Sequence, residues 1–173
     1  MSKTFTQTQN NLNDMKIIGI DPGYERVGIA VLEKNKTDRK ETVLYSNCFK
    51  TNVKLTLDER IFLIGKEIEK IIEKYKPSKM AIEKLFFENN AKTAMGVSEA
   101  RGAIVFVAQN LGLTVLQYTP LQIKSAVTGY GKADKNAVHT MVHKLVEMPK
   151  EIKQDDEIDA VAVAVTAFAT EKL

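Results

Sequence analysis

The sequence predicts an α/β fold in which a mixed five-stranded sheet carries helices on its faces, and three observations support this class. Three apolar runs follow one another at hairpin distance within residues 15–49, which indicates antiparallel strands. Two later short runs alternate with segments of helical period, which is typical of parallel strands. Hydrophobic residues make up 44% of the 173 residues, enough for one domain with a sizeable core.

The first strand is the apolar, mostly β-branched run at residues 15–21, whose composition indicates burial on both faces. It ends at Asp21, and the following Pro22-Gly23 supplies a turn. Asp21 is therefore expected at the carboxyl end of a central strand, where open α/β sheets bind their ligands. The other strands are expected at residues 27–32, 41–49, 80–82 and 114–118, with a charged turn at residues 34–40.

Five helices are predicted, the first from a stripe of apolar residues at steps of three and four between Leu57 and Tyr75. The second helix, which Asn89 or Asn90 can cap, ends before Gly112. Its small and apolar residues predict burial on more than one side. The helices are expected at residues 57–75, 90–111, 121–127, 135–146 and 157–170.

Composition argues against several classes of protein. No apolar run approaches the 18 residues of a membrane span. The single cysteine, Cys48, excludes an internal disulfide framework and favours a reducing compartment, so we expect the cytoplasm. A net charge of +3 is only mildly basic, so a phosphate-binding face would depend on clustered cations. The polar residues 1–14 are expected to form a disordered extension before a single domain, residues 15–173.

Four carboxylates from three distant segments are candidates for one site. Asp21 ends the first strand and Glu83 ends the fourth, so adjacent parallel strands would bring both side chains to one edge of the sheet. Asp156 and Asp159 lie three residues apart at the start of the last helix, on one face. Such carboxylates would repel one another without a cation, and oxygen ligands suit hard divalent ions. Two ions about 4 Å apart can support phosphodiester hydrolysis.

Each carboxylate also has a purely structural interpretation. Asp155, Asp156 and Asp159 could be cap or helix-dipole residues. Glu83 could be a solvated charge at the end of a strand, and Asp21 could simply start a turn. Carboxylates at both expected strand ends, together with a helical pair, favour the shared site.

Five ordered motifs between residues 16 and 167 resemble those of RuvC-type Holliday-junction resolvases. They are Gly19-Ile20-Asp21-Pro22-Gly23, Ala81-Ile82-Glu83-Lys84-Leu85-Phe86-Phe87, Glu99-Ala100-Arg101-Gly102, Gly129-Tyr130-Gly131-Lys132-Ala133-Asp134-Lys135 and Asp156-Glu157-Ile158-Asp159-Ala160. The first motif alone is shared with other RNase H-like families, whereas five motifs in this order are specific.

The resemblance implies an RNase H-like fold and Mg²⁺-dependent paired nicking of four-way DNA junctions, in recombination and repair. It implies that Asp21, Glu83, Asp156 and Asp159 are catalytic and hold two Mg²⁺ ions per active site, which Mn²⁺ can replace. The expected partners are junction DNA, a second copy of the chain as a homodimer, and a branch-migration motor. The family usually has a small residue in place of Asp155, so the ligand is one of the adjacent pair, and the spacing to Asp159 favours Asp156.

Aromatic and basic residues complete the expected DNA-binding surface. In the resembled family the position of Phe86 carries an aromatic that stacks on unpaired bases, whereas Phe87 is expected to pack inward. Lys124, Lys132 and Lys135 flank a glycine-bearing loop and are expected to bind DNA phosphates. A pair of core phenylalanines and a solvated run of charges are the structural alternatives.

Three further polar residues are expected to be structural. Arg101 lies within a helix rich in small residues, where an ion pair is favoured over a DNA contact. His139 and His143 are one helical turn apart and could bind zinc, but no third ligand is evident. We expect both histidines at the surface.

Three alternative functions can be distinguished by sequence features. An RNase H-like nuclease acting on ribosomal RNA shares the first motif but would lack the phenylalanine-bearing loop and the Asp-x-x-Asp pair. A non-catalytic junction-binding module would not need four carboxylates. A phosphate-binding ATPase of the actin and sugar-kinase type needs a much longer chain than 173 residues.

Overall fold

The computed structural model describes residues 14–35, 37–85, 91–148, 151–152 and 154–171. Within them, the order β-β-β-α-β-α-β-α-α-α is as predicted, and the sheet has the strand order β3-β2-β1-β4-β5. The strands are β1 (Asp14–Asp21), β2 (Arg26–Asn35), β3 (Thr42–Lys50), β4 (Lys79–Glu83) and β5 (Thr114–Tyr118). The helices are α1 (Leu57–Tyr75), α2 (Ala91–Asn110), α3 (Pro120–Thr128), α4 (Lys135–Leu145) and α5 (Asp155–Thr170). None of these helices is long and apolar enough to cross a membrane.

Strand pairing confirms the predicted mixed sheet. β1 pairs antiparallel with β2, and β2 pairs antiparallel with β3. On its other side β1 pairs in parallel with β4, which pairs in parallel with β5. Because Ile20 of β1 lies opposite Ile82 of β4, the next residues, Asp21 and Glu83, leave the sheet at the same edge.

The sheet separates two apolar cores. On one face Ile18 and Ile20 pack among the buried residues of α1 and α2, and on the other face Ile17 packs among those of α3, α4 and α5. The central helix α5 lies against the sheet and is buried along almost its whole length. Burial of this kind, worth about 25 cal/mol per Å² of apolar surface, fixes the helix on the strands.

Two glycines allow α5 to lie unusually close to the strands. A Cβ atom on Gly19 of β1 would lie 2.2 Å from the carbonyl oxygen of Ala160. A Cβ atom on Gly28 of β2 would lie 2.0 Å from the carbonyl oxygen of Asp156. The start of α5 therefore approaches the ends of β1 and β2 more closely than any side chain would permit.

Helix α2 differs from its prediction. Ala100, Ile104 and Ala108 are buried, but Met95 and Phe106 are 71% and 69% exposed. The described chain covers α2 on one side only, with the sheet and α1, so the expected burial on several sides is wrong for a single chain. The predicted end of the helix before Gly112 is confirmed, since this glycine has a φ of 82°. The proposed cap residues Asn89 and Asn90 lie outside the described residues.

Three element boundaries were also misplaced. β1 already begins at Asp14, which pairs with Asn35, so one residue of the expected extension belongs to the sheet. β2 continues through part of the expected charged turn, where Lys34 forms an ion pair with Glu41. α5 begins at Asp155, two residues earlier than predicted, because Gln154 is its N-cap. Residues 1–13 lie outside the described part of the chain.

Candidate active site

The four candidate carboxylates come from three elements that meet at one edge of the sheet. Asp21 and Glu83 are the last residues of the parallel neighbours β1 and β4. Asp156 and Asp159 lie in the first turns of α5, which Gly28 admits close to β2. Their convergence, which the sequence predicts, follows from the strand order and from the path of α5.

The two strand carboxyls have raised pKa values, because they are shielded from water and lie near other carboxylates. Burial, together with repulsion from Glu83, Asp159 and Asp156, raises the pKa of Asp21 to about 8. Burial likewise raises the pKa of Glu83 to about 7, helped by Asp159, while the cation of Lys124 opposes the shift. Ionising the site is therefore costly unless positive charge enters it.

Asp156 is engaged by residues of β2 and β3. The Arg26 guanidinium donates a short hydrogen bond to its carboxylate, and the Cys48 thiol donates another at 3.5 Å. Burial raises the pKa of Cys48, so the thiol form is favoured. The side chain of Asp156 thus points back across the sheet edge toward Arg26.

Asp159 is engaged by residues of α4. The amino group of Lys135 lies 3.2 Å from one carboxylate oxygen, and Nε2 of His139 lies 3.2 Å from the other. Lys135 also lies 3.2 Å from the exposed carboxylate of Asp155. Only 17% of the His139 side chain is exposed, so its expected surface position is wrong, whereas the exposed His143 agrees with expectation.

A cleft of about 270 Å³ opens beside the carboxylates. Its lining combines acidic, basic and apolar side chains, namely Glu83, Pro120, Ile123, Lys124, Lys135, Val138, Asp159 and Ala162. Of the three predicted DNA-binding lysines, Lys124 and Lys135 line this cleft, while Lys132 is exposed outside it. Phe86 and Phe87 lie outside the described residues.

Arg101 supports the site from α2. Its Nε donates to the backbone carbonyl oxygen of Glu83 at 3.1 Å, and Nη2 donates to the side-chain oxygen of Gln117 at 2.7 Å. Among the described residues it therefore bonds to neutral oxygens at the ends of β4 and β5, where the sequence predicts an ion pair. That expectation fails because the partner is a strand-end carbonyl, which sequence spacing does not show.

The carboxylates suit a divalent cation in ligand type and in charge. Hard oxygen ligands are what Mg²⁺ prefers, and a bound cation would offset the repulsion that raises the pKa of Asp21. In the described chain, however, no three His, Cys, Asp or Glu side chains are already grouped around one point. Asp156 and Asp159 would have to turn from Arg26, Lys135 and His139 to share an ion.

Sequence reasoning missed Arg26 and His139. His139 could have been found, because it follows Lys135 by one helical turn and so shares its face. Arg26 begins the strand paired with β1, two residues before Gly28, but only the path of α5 brings Asp156 to it.

Comparison with known proteins gives these features a family. The family profile described as crossover junction endodeoxyribonuclease RuvC matches residues 17–167. A protein of that name from Desulforamulus reducens is 44% identical over 151 residues, 87% of this chain and 91% of the relative. Another from Fusobacterium nucleatum is 40% identical over 152 residues, 88% and 79% of the two chains. The Thermus thermophilus RuvC structure in complex with Holliday junction substrate matches with a TM-score of 0.82 and 30% identity, over 89% of this chain and 93% of that one. The chain belongs to the RuvC family of crossover junction endodeoxyribonucleases.

Proposed function

We propose that this chain resolves four-way DNA junctions by paired nicks, as a homodimer, with Mg²⁺ held by Asp21, Glu83, Asp156 and Asp159. The observation that supports the proposal is the set of partly buried carboxylates at one sheet edge, with raised pKa values for Asp21 and Glu83, beside a lysine-lined cleft. Members of its family are named for cutting crossover junctions, and the solved structure of a Thermus thermophilus member is a complex with Holliday junction substrate. Mn²⁺ is expected to substitute for Mg²⁺, and two ions per site are expected.

The chain's own residues divide into two roles, metal ligation and phosphate binding. Asp21 and Glu83 give up the protons that burial favours when they become ligands, so their ionisation accompanies metal binding. Lys124 lies in the cleft close enough to Glu83 to lower its pKa, and its cation can bind the phosphate next to the cut bond. When bound, divalent ions supply an activated water and stabilise the leaving oxygen.

The metal assignment is tested with a synthetic four-way junction and a matched duplex. Wild type should nick the junction symmetrically with Mg²⁺ and should bind without cutting in chelator. Asp21→Asn and Glu83→Gln should abolish cleavage but keep junction binding, because the phosphate-binding lysines remain. Asp58→Asn, an exposed first-turn acid of α1, serves as the matched control and should cut normally. Full cleavage by either site variant, or by wild type in chelator, would contradict the assignment of Asp21 and Glu83 as metal ligands.

The exposed apolar surface of α1 and α2 supports the proposed dimer. Phe62 of α1, together with Met95 and Phe106 of α2, remains exposed in the single chain. Two cuts on strands of like polarity need two sites related by a two-fold axis, and an isologous interface provides that symmetry. Phe106→Glu should therefore shift sedimentation at micromolar concentration toward monomer and uncouple the two cuts. A monomeric wild type that still makes coupled cuts would contradict the dimer.

Base stacking by Phe86 and cooperation with a branch-migration motor are implied by the family resemblance and remain predictions. Stacking of Phe86 on an unpaired base, worth roughly 1–3 kcal/mol, predicts that Phe86→Ala slows cleavage by about 5- to 150-fold while binding persists. Phe87→Ala is its control and should lower the melting temperature instead. A branch-migration motor is the second expectation, and stimulation of cleavage by such a motor on a mobile junction would test it.

A further inference from the structure

Two large apolar side chains are exposed beside the cleft rather than on the α1–α2 surface. Leu121 of α3 is 59% exposed, and Tyr130, in the turn that follows α3, is 62% exposed. Leu121 lies between Pro120 and Lys124, both of which line the cleft. Neither the carboxylate cluster nor the proposed dimer surface uses this pair.

The backbone around Tyr130 is held in place by hydrogen bonds on both sides. The Tyr130 N–H donates to the hydroxyl of Thr128 at 3.1 Å, and that hydroxyl donates to the carbonyl oxygen of Lys124 at 2.8 Å. The Tyr130 carbonyl accepts from the N–H of Ala133 at 3.0 Å. Gly129 closes α3 with a φ of 77°. The turn thus fixes the residue while its ring stays in solvent.

Packing of Gly131 joins the turn to Leu121. A Cβ atom at Gly131 would lie 2.8 Å from the Ser125 hydroxyl and 3.0 Å from Cγ of Leu121. An added methyl group here would crowd both side chains, so the glycine favours this close contact, which places the backbone beside Tyr130 against Leu121. We call the exposed pair of Leu121 and Tyr130, which this backbone contact joins, the Tyr130 ledge.

Positive charge on both sides indicates what the ledge binds. Lys124, which follows Leu121 by one helical turn, lines the cleft, and the exposed Lys132 follows Tyr130 by two residues. Exposed aromatic side chains together with nearby cations are the means by which proteins bind a nucleobase and its phosphates. A protein partner would not need lysines that face a nuclease cleft, so the charge pattern favours nucleic acid.

We propose that the Tyr130 ledge is a base-stacking site that holds an unpaired nucleobase of the junction near the cut strand. This inference rests on the proposed function. It assigns a DNA contact to α3 and its following turn, in addition to the contact expected of Phe86. The ligand is a flipped or unstacked base, so the ledge should act on junctions and not on intact duplex.

The test uses the full chain and four-way junctions that carry 2-aminopurine at successive positions near the crossover, in chelator and at fixed salt. Stacking on Tyr130 should quench one of these positions. Tyr130→Ala should lose the quenching and weaken junction binding by about 5- to 150-fold. Tyr130→Phe should restore both, whereas Tyr130→Leu, which keeps apolar bulk without a flat ring, should not restore the quenching. Val53→Ala, at another exposed apolar position, is the matched control and should behave as wild type.

Salt dependence and duplex binding separate stacking from other roles. Tyr130→Ala should leave the salt slope of binding unchanged, whereas Lys132→Ala should reduce it by about one. Unchanged quenching and affinity in Tyr130→Ala would overturn the proposal, as would an equal loss on matched duplex or a loss that Tyr130→Phe does not rescue. A wild-type chain that neither prefers nor cuts junctions would instead refute the proposed function itself.

Discussion

Gly28→Ala adds one methyl group where the start of α5 lies against β2. The new Cβ would lie 2.0 Å from the carbonyl oxygen of Asp156, 2.8 Å from its carbonyl carbon and 3.1 Å from Cβ of Asp21. Ordinary van der Waals contact begins at 3.4 Å, so the backbone of α5 or β2 must move by about 1.4 Å. The groups that would move are Asp156, a predicted ligand on α5, and strand β2, which lies beside the predicted ligand Asp21 of β1.

The size of the effect follows from that displacement. A misplacement of about 1 Å in a catalytic arrangement costs roughly 100-fold in rate. Overpacking of this kind also costs about 1–3 kcal/mol of stability, which a folded domain of ordinary stability survives. We therefore expect Gly28→Ala to fold, to melt at a lower temperature and to cut junctions at least about 100-fold more slowly.

The assay is single-turnover cleavage of a four-way junction, with binding measured separately in chelator. Binding should persist, because the lysines of the cleft lie on α3 and α4. Gly65→Ala is the matched control, since its Cβ would meet Val107 at an ordinary 3.7 Å and the change favours the helix by roughly 0.5–1 kcal/mol. Wild-type cleavage and melting by Gly28→Ala would show that α5 does not approach β2 so closely.

Three further predictions concern single residues. Because the pKa of Asp21 rises from 3.8 to about 8, the metal-free native chain binds more protons than the unfolded chain between these values, so its stability should fall as pH rises through this window. Asp21→Asn should reduce that dependence in melting experiments with chelator from pH 5 to pH 9, and the part that remains comes from Glu83, whose pKa is also raised. Asp155→Asn should keep junction cleavage, since its side chain is exposed, whereas Asp156→Asn should lose it; the reverse would move the ligand by one residue. Arg101→Ala should lower stability by about 1.5 kcal/mol and slow cleavage more than binding, because it frees the carbonyl of Glu83, and Arg101→Lys should lie between.

Local patterns predict the sheet and the strand-end carboxylates well. The change from buried apolar residues to Asp21 and Glu83 marks the end of each strand in the sequence. Because β1 and β4 pair in parallel, the two side chains then lie at the same edge of the sheet. The helical stripe of α1 is equally local, and its capping box at Thr56 and Glu59 confirms the predicted start. These features depend on neighbours in sequence, which is why the sequence predicts them.

The sequence does not predict which side chains from distant elements contact the site residues. Arg26 meets Asp156 across 130 residues, and no local pattern distinguishes this pair from ordinary surface charges. We expected His139 at the surface because no third zinc ligand is evident. Its spacing from Lys135, however, places both residues on one face of α4. Apolar composition likewise predicted that α2 is buried on more than one side, without showing which surface would cover residues such as Phe106.

The burial of α5 couples the chemistry to the integrity of the whole fold. Residues such as Ala160, Val163 and Ala164 are almost inaccessible to water in the centre of this helix, so their amide hydrogens can exchange with solvent only when the domain opens globally. We therefore expect the buried centre of the helix that carries Asp156 and Asp159 to melt only together with the domain. A molecule in which the buried part of α5 has melted has therefore also lost its core, and such molecules are substrates for proteases.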